Sequence, residues 1–204
     1  MLDTKDIEDL AKLFSEFPGI GERQSKRFVY FLLRRGSSYR DTLARSIKQL
    51  DQSVEQCTEC YRFFSKRGST RCVICDNPSR DVTVLMLVEK DSDVDAIEKS
   101  SLFKGKYFIL GGLIPIATED KIRHIRIKEL ITYLETHKDL LKEIILGFPV
   151  HPNGDYTTEY VRQQIETNYK NIFKITVLGR GLSTGTDIEY TDRETIEYAL
   201  KGRQ

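Results

Sequence analysis

Ile7, Leu10, Ala11 and Phe14 recur at i, i+3, i+4 and i+7 among polar neighbours, which is the spacing of one helical face. They predict a first helix over 4–16, with Asp3 or Thr4 as its N-cap. Pro18 and Gly19 stop it, and Gly21 is expected to turn the chain with φ > 0. A second helix then offers Phe28, Val29, Phe31, Leu32 and Leu33 for packing. Ser37 or Ser38 stands where it would cap a third helix, in which Leu43, Ile47, Leu50 and Val54 keep helical spacing. Beyond the turn residues Asn77-Pro78-Ser79-Arg80 the pattern changes. VTVLMLV (82–88) is an unbroken apolar run ending at Glu89, as in a strand buried on both faces.

From there helices and strands alternate. A short helix is predicted over 94–99, then a strand over 107–110 ending in Gly111-Gly112. Next come a helix over 127–134, a strand over 143–146, a helix over 157–169 and a strand over 173–178. This alternation predicts a doubly wound parallel sheet. The tail reads as a glycine-rich turn, a short strand at Ile188-Glu189-Tyr190 and a capped helix from Asp192 to Leu200.

All four cysteines lie between these two regions, as CTEC (57–60) and CVIC (72–75). Each C-x2-C pair can set two thiolates on one side of a tight turn. Two such turns face to face make a tetrahedral S4 site, which suits zinc. Two disulfides or a redox pair are the competing readings, though no other feature points to an oxidising compartment. Four thiolates from Cys57, Cys60, Cys72 and Cys75 would leave no open coordination position, so the expected role of a metal is structural. The enclosed loop carries Arg62, Lys66, Arg67 and Arg71 beside Tyr61, Phe63 and Phe64. Those bases are either a solvated face or a contact for a polyanion.

Charge changes the picture at the front of the chain. Net charge over 204 residues is +1, yet residues 1–80 carry +4 and residues 81–204 carry −3. Residues 23–48 hold eight bases and one acid, Asp41. The distribution fits a polyanion partner at the front or a well-solvated helical face. Arg23, Lys26 and Arg27 sit in the first turns of the second helix, where cations oppose the dipole. Gly19 and Gly21 precede them, and a phosphate approaching the free amides there would account for both features. The alternative is an ordinary turn between helices.

Ligands of doubly wound sheets sit outside the strand C-termini. The residues expected there are Glu89, Gly111, Gly112, the segment from His151 to Asp155, and Arg180-Gly181. Glu89 and Asp155 either hold Mg²⁺ for phosphoryl chemistry or are two solvated carboxylates. His151 is a candidate ligand, while His124 and His137 carry no signal. No apolar run approaches the roughly 20 residues of a membrane span. The start MLDTKDIEDL lacks the order of a signal peptide, which makes the cytoplasm the default location.

Four segments in one order carry a resemblance. They are FPGIGERQSKR, CTEC with CVIC, VLMLVEKDSDVDAIEKS with FILGGLIP, and LGRGLSTGTDIEYTDRETIEYALKGR. Across essentially its whole length the chain resembles the bacterial RecR family of recombination mediators. The resemblance implies an α/β multi-module protein. Its parts would be a helix–hairpin–helix DNA-binding domain (1–54), a four-cysteine zinc finger (55–79), a Toprim domain (80–178) and a C-terminal segment for subunit contacts (179–204). It implies no enzymatic activity and a tetrameric ring on single- and double-stranded DNA, associated with the nucleoid. It implies partnership with RecO, and with RecF in many bacteria, in loading RecA at single-strand gaps. By motif match, Arg23 and Arg27 take DNA-contacting positions, the cysteines take the Zn ligands, and Glu89 and Asp155 fall on the RecO-binding face. Subunit contacts would run through the hairpin region and the tail.

The chain departs from that family pattern at FPVHPNGD, where an N-P-T-V-E-G-E-like segment is usual. Asn153 replaces the first acid, and Asp155 keeps the second. LIPIATED also stands after Gly112 where an S-P pair is common. An asparagine in place of a carboxylate should lower Mg²⁺ affinity. The rival readings are a Mg-dependent Toprim nuclease or primase-like phosphoryl transferase using Glu89 and Asp155, and a zinc-stapled scaffold that binds only protein.

Overall fold

The computed structural model describes residues 4–116, 125–179, 181–182, 185 and 187–202. Arg180 and His124 lie outside the described residues. The chain forms two compact units, Met1–Val54 and Glu55–Gln204.

The first unit is helical, with α1 (Lys5–Ser15), α2 (Glu22–Arg34) and α3 (Ser37–Ser53). Ala11 and Val29 are its buried apolar side chains, and Phe14 meets Phe28 edge-on at 5.8 Å. Thr4 takes the N-cap position of α1 as expected, while Asp3 lies outside the described residues. Thr4 spends its hydroxyl on Glu8 at 3.2 Å, so its side chain caps no amide. Ser37 is already helical, Gly36 occupies the cap position, and Ser38 lies inside the first turn. Arg40 closes the preceding helix instead, donating to the carbonyls of Leu32 at 3.2 Å and Arg35 at 2.6 Å. The helix α3 buries none of its side chains.

β1 (Val54–Gln56), which starts on the last residue of the first unit, pairs with β2 (Phe63–Ser65), and the single-turn α4 (Val73–Asp76) follows. The sheet follows: β3 (Asp81–Val88), α5 (Asp91–Ser100), β4 (Gly105–Ile109), α6 (Ile127–His137), β5 (Glu143–Gly147), α7 (Pro152–Asn168) and β6 (Lys174–Val177). Its order is β4-β3-β5-β6, all parallel. The chain reverses direction across the sheet between β3 and β5, which makes their ends the switch point.

The run of 82–88 shows why β3 is central. Leu85 and Leu87 join Phe108, Ile144 and Leu146 under α6 (Leu130, Leu134) and α7 (Val161, Ile165). Met86 and Val88 join Tyr107 and Ile109 with Val94 of α5 and all four cysteines. Alternate residues feed opposite faces. One face is covered by two helices and the other by one helix plus the cysteine module.

Several elements differ from the sequence reading: Val54 belongs to β1 and not to α3, and α5 starts at Asp91, three residues before the predicted 94. The helix α7 starts at Pro152, five residues earlier than predicted. Proline suits a first helical position, and His151 caps the turn by accepting from the Gly154 amide. Ile188–Tyr190 is a 3-10 turn, with Tyr190 N bonded to Asp187 O at 3.1 Å. Apolar alternation over three residues does not make a strand without a ladder partner. The last helix, α8 (Arg193–Lys201), is capped by Asp192 through the Thr195 amide at 2.9 Å.

Arg80 fastens α5 to the sheet. It grips both carboxylate oxygens of Glu98, and Tyr107 Oη donates to the same carboxylate at 2.7 Å. The Arg80 guanidinium, more than the tyrosine, holds the Glu98 carboxyl below its usual range. A depressed carboxylate contributes stability above its unfolded pKa and loses it as pH falls through the folded one. Glu98→Gln should therefore cost about 1–2 kcal/mol at pH 7, allowing for its partial exposure. Urea unfolding should show the two proteins converging as pH falls toward the acid range.

Candidate metal centre and nucleic-acid interface

The two cysteine knuckles close on one point. The Sγ atoms of Cys57, Cys60, Cys72 and Cys75 all lie within 4.8 Å of one another and are buried. Cys60 and Cys72 are 3.6 Å apart, and none of the four is in a disulfide. Metal–sulfur bonds of about 2.3 Å in a tetrahedron require sulfur separations of about 3.8 Å, so the cage fits such an ion. Hydrogen bonds from Cys60, then Cys72 and Cys75, hold the Cys57 thiol far below its ordinary range. The Cys75 thiol is pushed far above it, first by Cys57 and then by Cys60 and Cys72. Cys72 is likewise held below its ordinary range and Cys60 above it, so the four thiols differ among themselves, whereas a divalent cation stabilises all four thiolates.

The module is built into its unit rather than appended to it. Cys60 O accepts the Ile109 amide at 3.0 Å, which occupies the outer edge of β4. Tyr61, held at φ 64°, packs edge-on against Phe108 at 5.3 Å, with the Arg126 guanidinium 5.0 Å from its ring centre. Arg62, Arg67 and Arg71 of the loop have carboxylate partners at home. Arg62 pairs with Asp95 at 2.5 Å, Arg67 with Asp76, and Arg71 with Glu59 at 2.6 Å. These pairs give the three arginines a structural role. His137 stacks on Tyr133 at 4.0 Å, with Nε2 3.9 Å from Glu59. Sequence reasoning missed Lys106, which lies buried on β4 with Nζ 2.8 Å from Cys75 O. The signal was a lysine flanked by a run of apolar strand residues.

The hairpin of the first unit is Phe17 to Gly21. Gly19 takes the left-handed conformation at φ 76°, whereas Gly21 is extended at φ −88° and serves as the N-cap of α2. The expectation of positive φ at Gly21 is thus corrected to Gly19. A helix cap has β-region geometry, and the reversal is completed two residues earlier. A Cβ at either glycine would meet nothing within 4 Å. Arg23, Lys26 and Arg27 are exposed. Arg27 touches Gln24 at 3.4 Å, and among the described residues none of the three bases has a carboxylate partner.

At the switch point Glu89 is partly buried and lies 3.7 Å from Lys90 Nζ. Its carbonyl accepts the amide of Gly111, which stands at φ 91°. Asp155 belongs to the first turn of α7, following the neighbouring strand β5. Asn153 is exposed, and its carbonyl accepts Thr157 Oγ1 at 2.7 Å. The same Oγ1 accepts the Ile114 amide at 2.9 Å, tying the loop after β4 to α7. His151 serves as the helix cap. Among the described residues the four cysteines are the one group of three or more His, Cys, Asp or Glu that closes on a single ion. The described residues also contain no helix long and apolar enough to cross a membrane.

Residues 83–178 match the Toprim domain family, and residues 181–204 match the family of RecR C-terminal segments. Recombination protein RecR of Desulfatibacillum aliphaticivorans is 34% identical over 197 residues, spanning 97% of this chain and 95% of that protein. The protein of the same name from Lactobacillus acidophilus is 32% identical over 197 residues, 97% of this chain and 96% of its own. That of Herpetosiphon aurantiacus is 34% identical over 205 residues, 99% and 97% respectively.

Proposed function

Because the chain belongs to the RecR family, we propose that it is a non-enzymatic, DNA-binding mediator of recombinational repair. In this reading it forms a homo-tetrameric ring and works with RecO, and with RecF, to load RecA at single-strand gaps. The observation that carries the DNA contact is the hairpin. Three exposed bases without carboxylate partners among the described residues follow two glycines that have open space above them. Phosphate oxygens reach free amides and cations there without any base edge being read.

The metal is zinc, held by Cys57, Cys60, Cys72 and Cys75. Zinc would supply folding free energy and no chemistry, since the four thiolates complete its tetrahedron. Glu89 and Asp155 serve as the partner-binding face for RecO. Support for a non-catalytic role is that Asn153 brings no charge where an acid is usual. The exposed apolar side chains Ile47 and Leu50 of α3, and Ile188 and Tyr190 of the tail, fit contacts between copies of the chain.

The test is salt-dependent binding to short duplex and single-stranded DNA of unrelated sequences. Replacing both Arg23 and Arg27 with Ala should weaken binding equally on all of them. The slope of log K against log salt should become shallower by about 1.8 on duplex and about 1.4 on single strands, near 0.9 and 0.7 for each phosphate that is no longer neutralised. Thermal melting should be unchanged, since both side chains are exposed. Unaltered affinity would refute the hairpin assignment.

A further inference from the structure

Lys106 is the one charged side chain buried among the described residues, with 6% of its surface exposed. Its Nζ donates to Cys75 O at 2.8 Å, Ile74 O at 3.3 Å and Asn77 O at 3.5 Å. Three donor bonds match the three N–H groups of an ammonium. Carbonyl oxygens satisfy those bonds but supply no net charge. Among the described residues no carboxylate pairs with Lys106, and a buried cation without a counter-charge is strongly penalised.

The missing negative charge lies next door. Four thiolates around a divalent ion leave a net charge of −2, and Cys75, which holds the lysine by its carbonyl, is one of the four. Arg71 reaches the same carbonyl at 2.6 Å. That guanidinium is already committed to Glu59 at 2.6 Å and Asp76 at 3.4 Å. Lys106 is therefore the cation left to balance the centre.

We propose that Lys106 is the counter-cation of the four-thiolate centre. Its ammonium offsets part of the centre's negative charge while its three hydrogen bonds fix the turn that carries Cys72 and Cys75. This rests on the reading of the cluster as a zinc site. Lys106 is a positioning residue outside the coordination sphere. Groups of this kind typically change metal affinity by about 10- to 100-fold.

The full-length protein and its K106M, K106Q and K106R variants test the proposal. Zinc affinity is read by competition with a chromogenic chelator. The sulfur-to-metal charge-transfer band is read after Co²⁺ replacement. K106M should lose about 10- to 100-fold in affinity, and K106R should retain most of it. In K106M and K106Q the charge-transfer band should move to lower energy, because the thiolate electrons are no longer stabilised by the ammonium. A purely packing role would not move that band in K106Q, which keeps amide donors at the site. If K106M fails to fold, K106Q and K106R carry the test. Wild-type affinity with an unmoved band in K106Q overturns the assignment of Lys106 and leaves the zinc site standing. A wild-type protein that contains no zinc and takes up no Co²⁺ overturns both.

Discussion

Cys60→Ser is expected to collapse one face of the sheet as well as the small module that contains the residue. Cys57, Cys60, Cys72 and Cys75 share a buried cluster with Met86, Val88, Tyr107 and Ile109. Cys60 O also holds the amide of Ile109 at the edge of β4. Structural zinc contributes about 10–16 kcal/mol to small zinc modules, and whole domains are stable by only about 5–15 kcal/mol. Loss of one ligand, or stripping of the metal by a chelator, should therefore cost several kcal/mol. The opposite face, where α6 and α7 cover Leu85, Leu87, Ile144 and Leu146, should survive longer. Amide hydrogen exchange separates the two faces. Ile109 should lose protection on metal removal, while amides of β5 keep most of theirs. Uniform protection with and without metal would show that the centre does not hold the fold.

Gly154→Ala is the second large effect, and helix propensity predicts its sign wrongly. Alanine gains about 1 kcal/mol over glycine inside a helix, and Gly154 lies in the first turn of α7. A Cβ there would stand 1.9 Å from Pro149 O and 2.9 Å from Pro149 C. Neither atom can yield without moving backbone. The turn at Pro149 and the start of α7 would have to separate, breaking the cap at His151 and displacing Asp155. Thr157 would lose its hold on the Ile114 amide. We expect a loss of at least ~3 kcal/mol, in the range that marks a backbone clash, measured by urea unfolding. Binding of RecO should fall with it if the face carrying Glu89 and Asp155 is the contact.

How much could be read from the chain alone depended on the range of the interaction. VTVLMLV identified a strand buried on both faces over Leu85 to Val88, where apolar residues fill every position, although Val82 at its start is exposed. The cysteine spacing announced a four-ligand cage because turn geometry is local. Glycine conformation was less legible. P-G-I-G contains two candidates for the left-handed residue, and which one takes it depends on where α2 begins. Ile188-Glu189-Tyr190 alternates like a strand, but the three residues satisfy themselves by local bonds. Ser37 and Ser38 have cap chemistry, yet the helix begins at Ser37 itself. The close approach of Gly154 to Pro149 and the seat of Lys106 on Cys75 are tertiary facts. Lys106 meets its partners 29 to 32 positions away, beyond the reach of any periodic pattern.

We expect this chain to hold DNA without cutting or extending it. This expectation is tested most directly with end-labelled gapped duplex, purified protein and Mg²⁺, resolved on native and denaturing gels. A salt-sensitive native shift with every strand intact is the expected result. New cleavage or extension products that disappear in Glu89→Gln would contradict it and make the switch-point carboxylates catalytic.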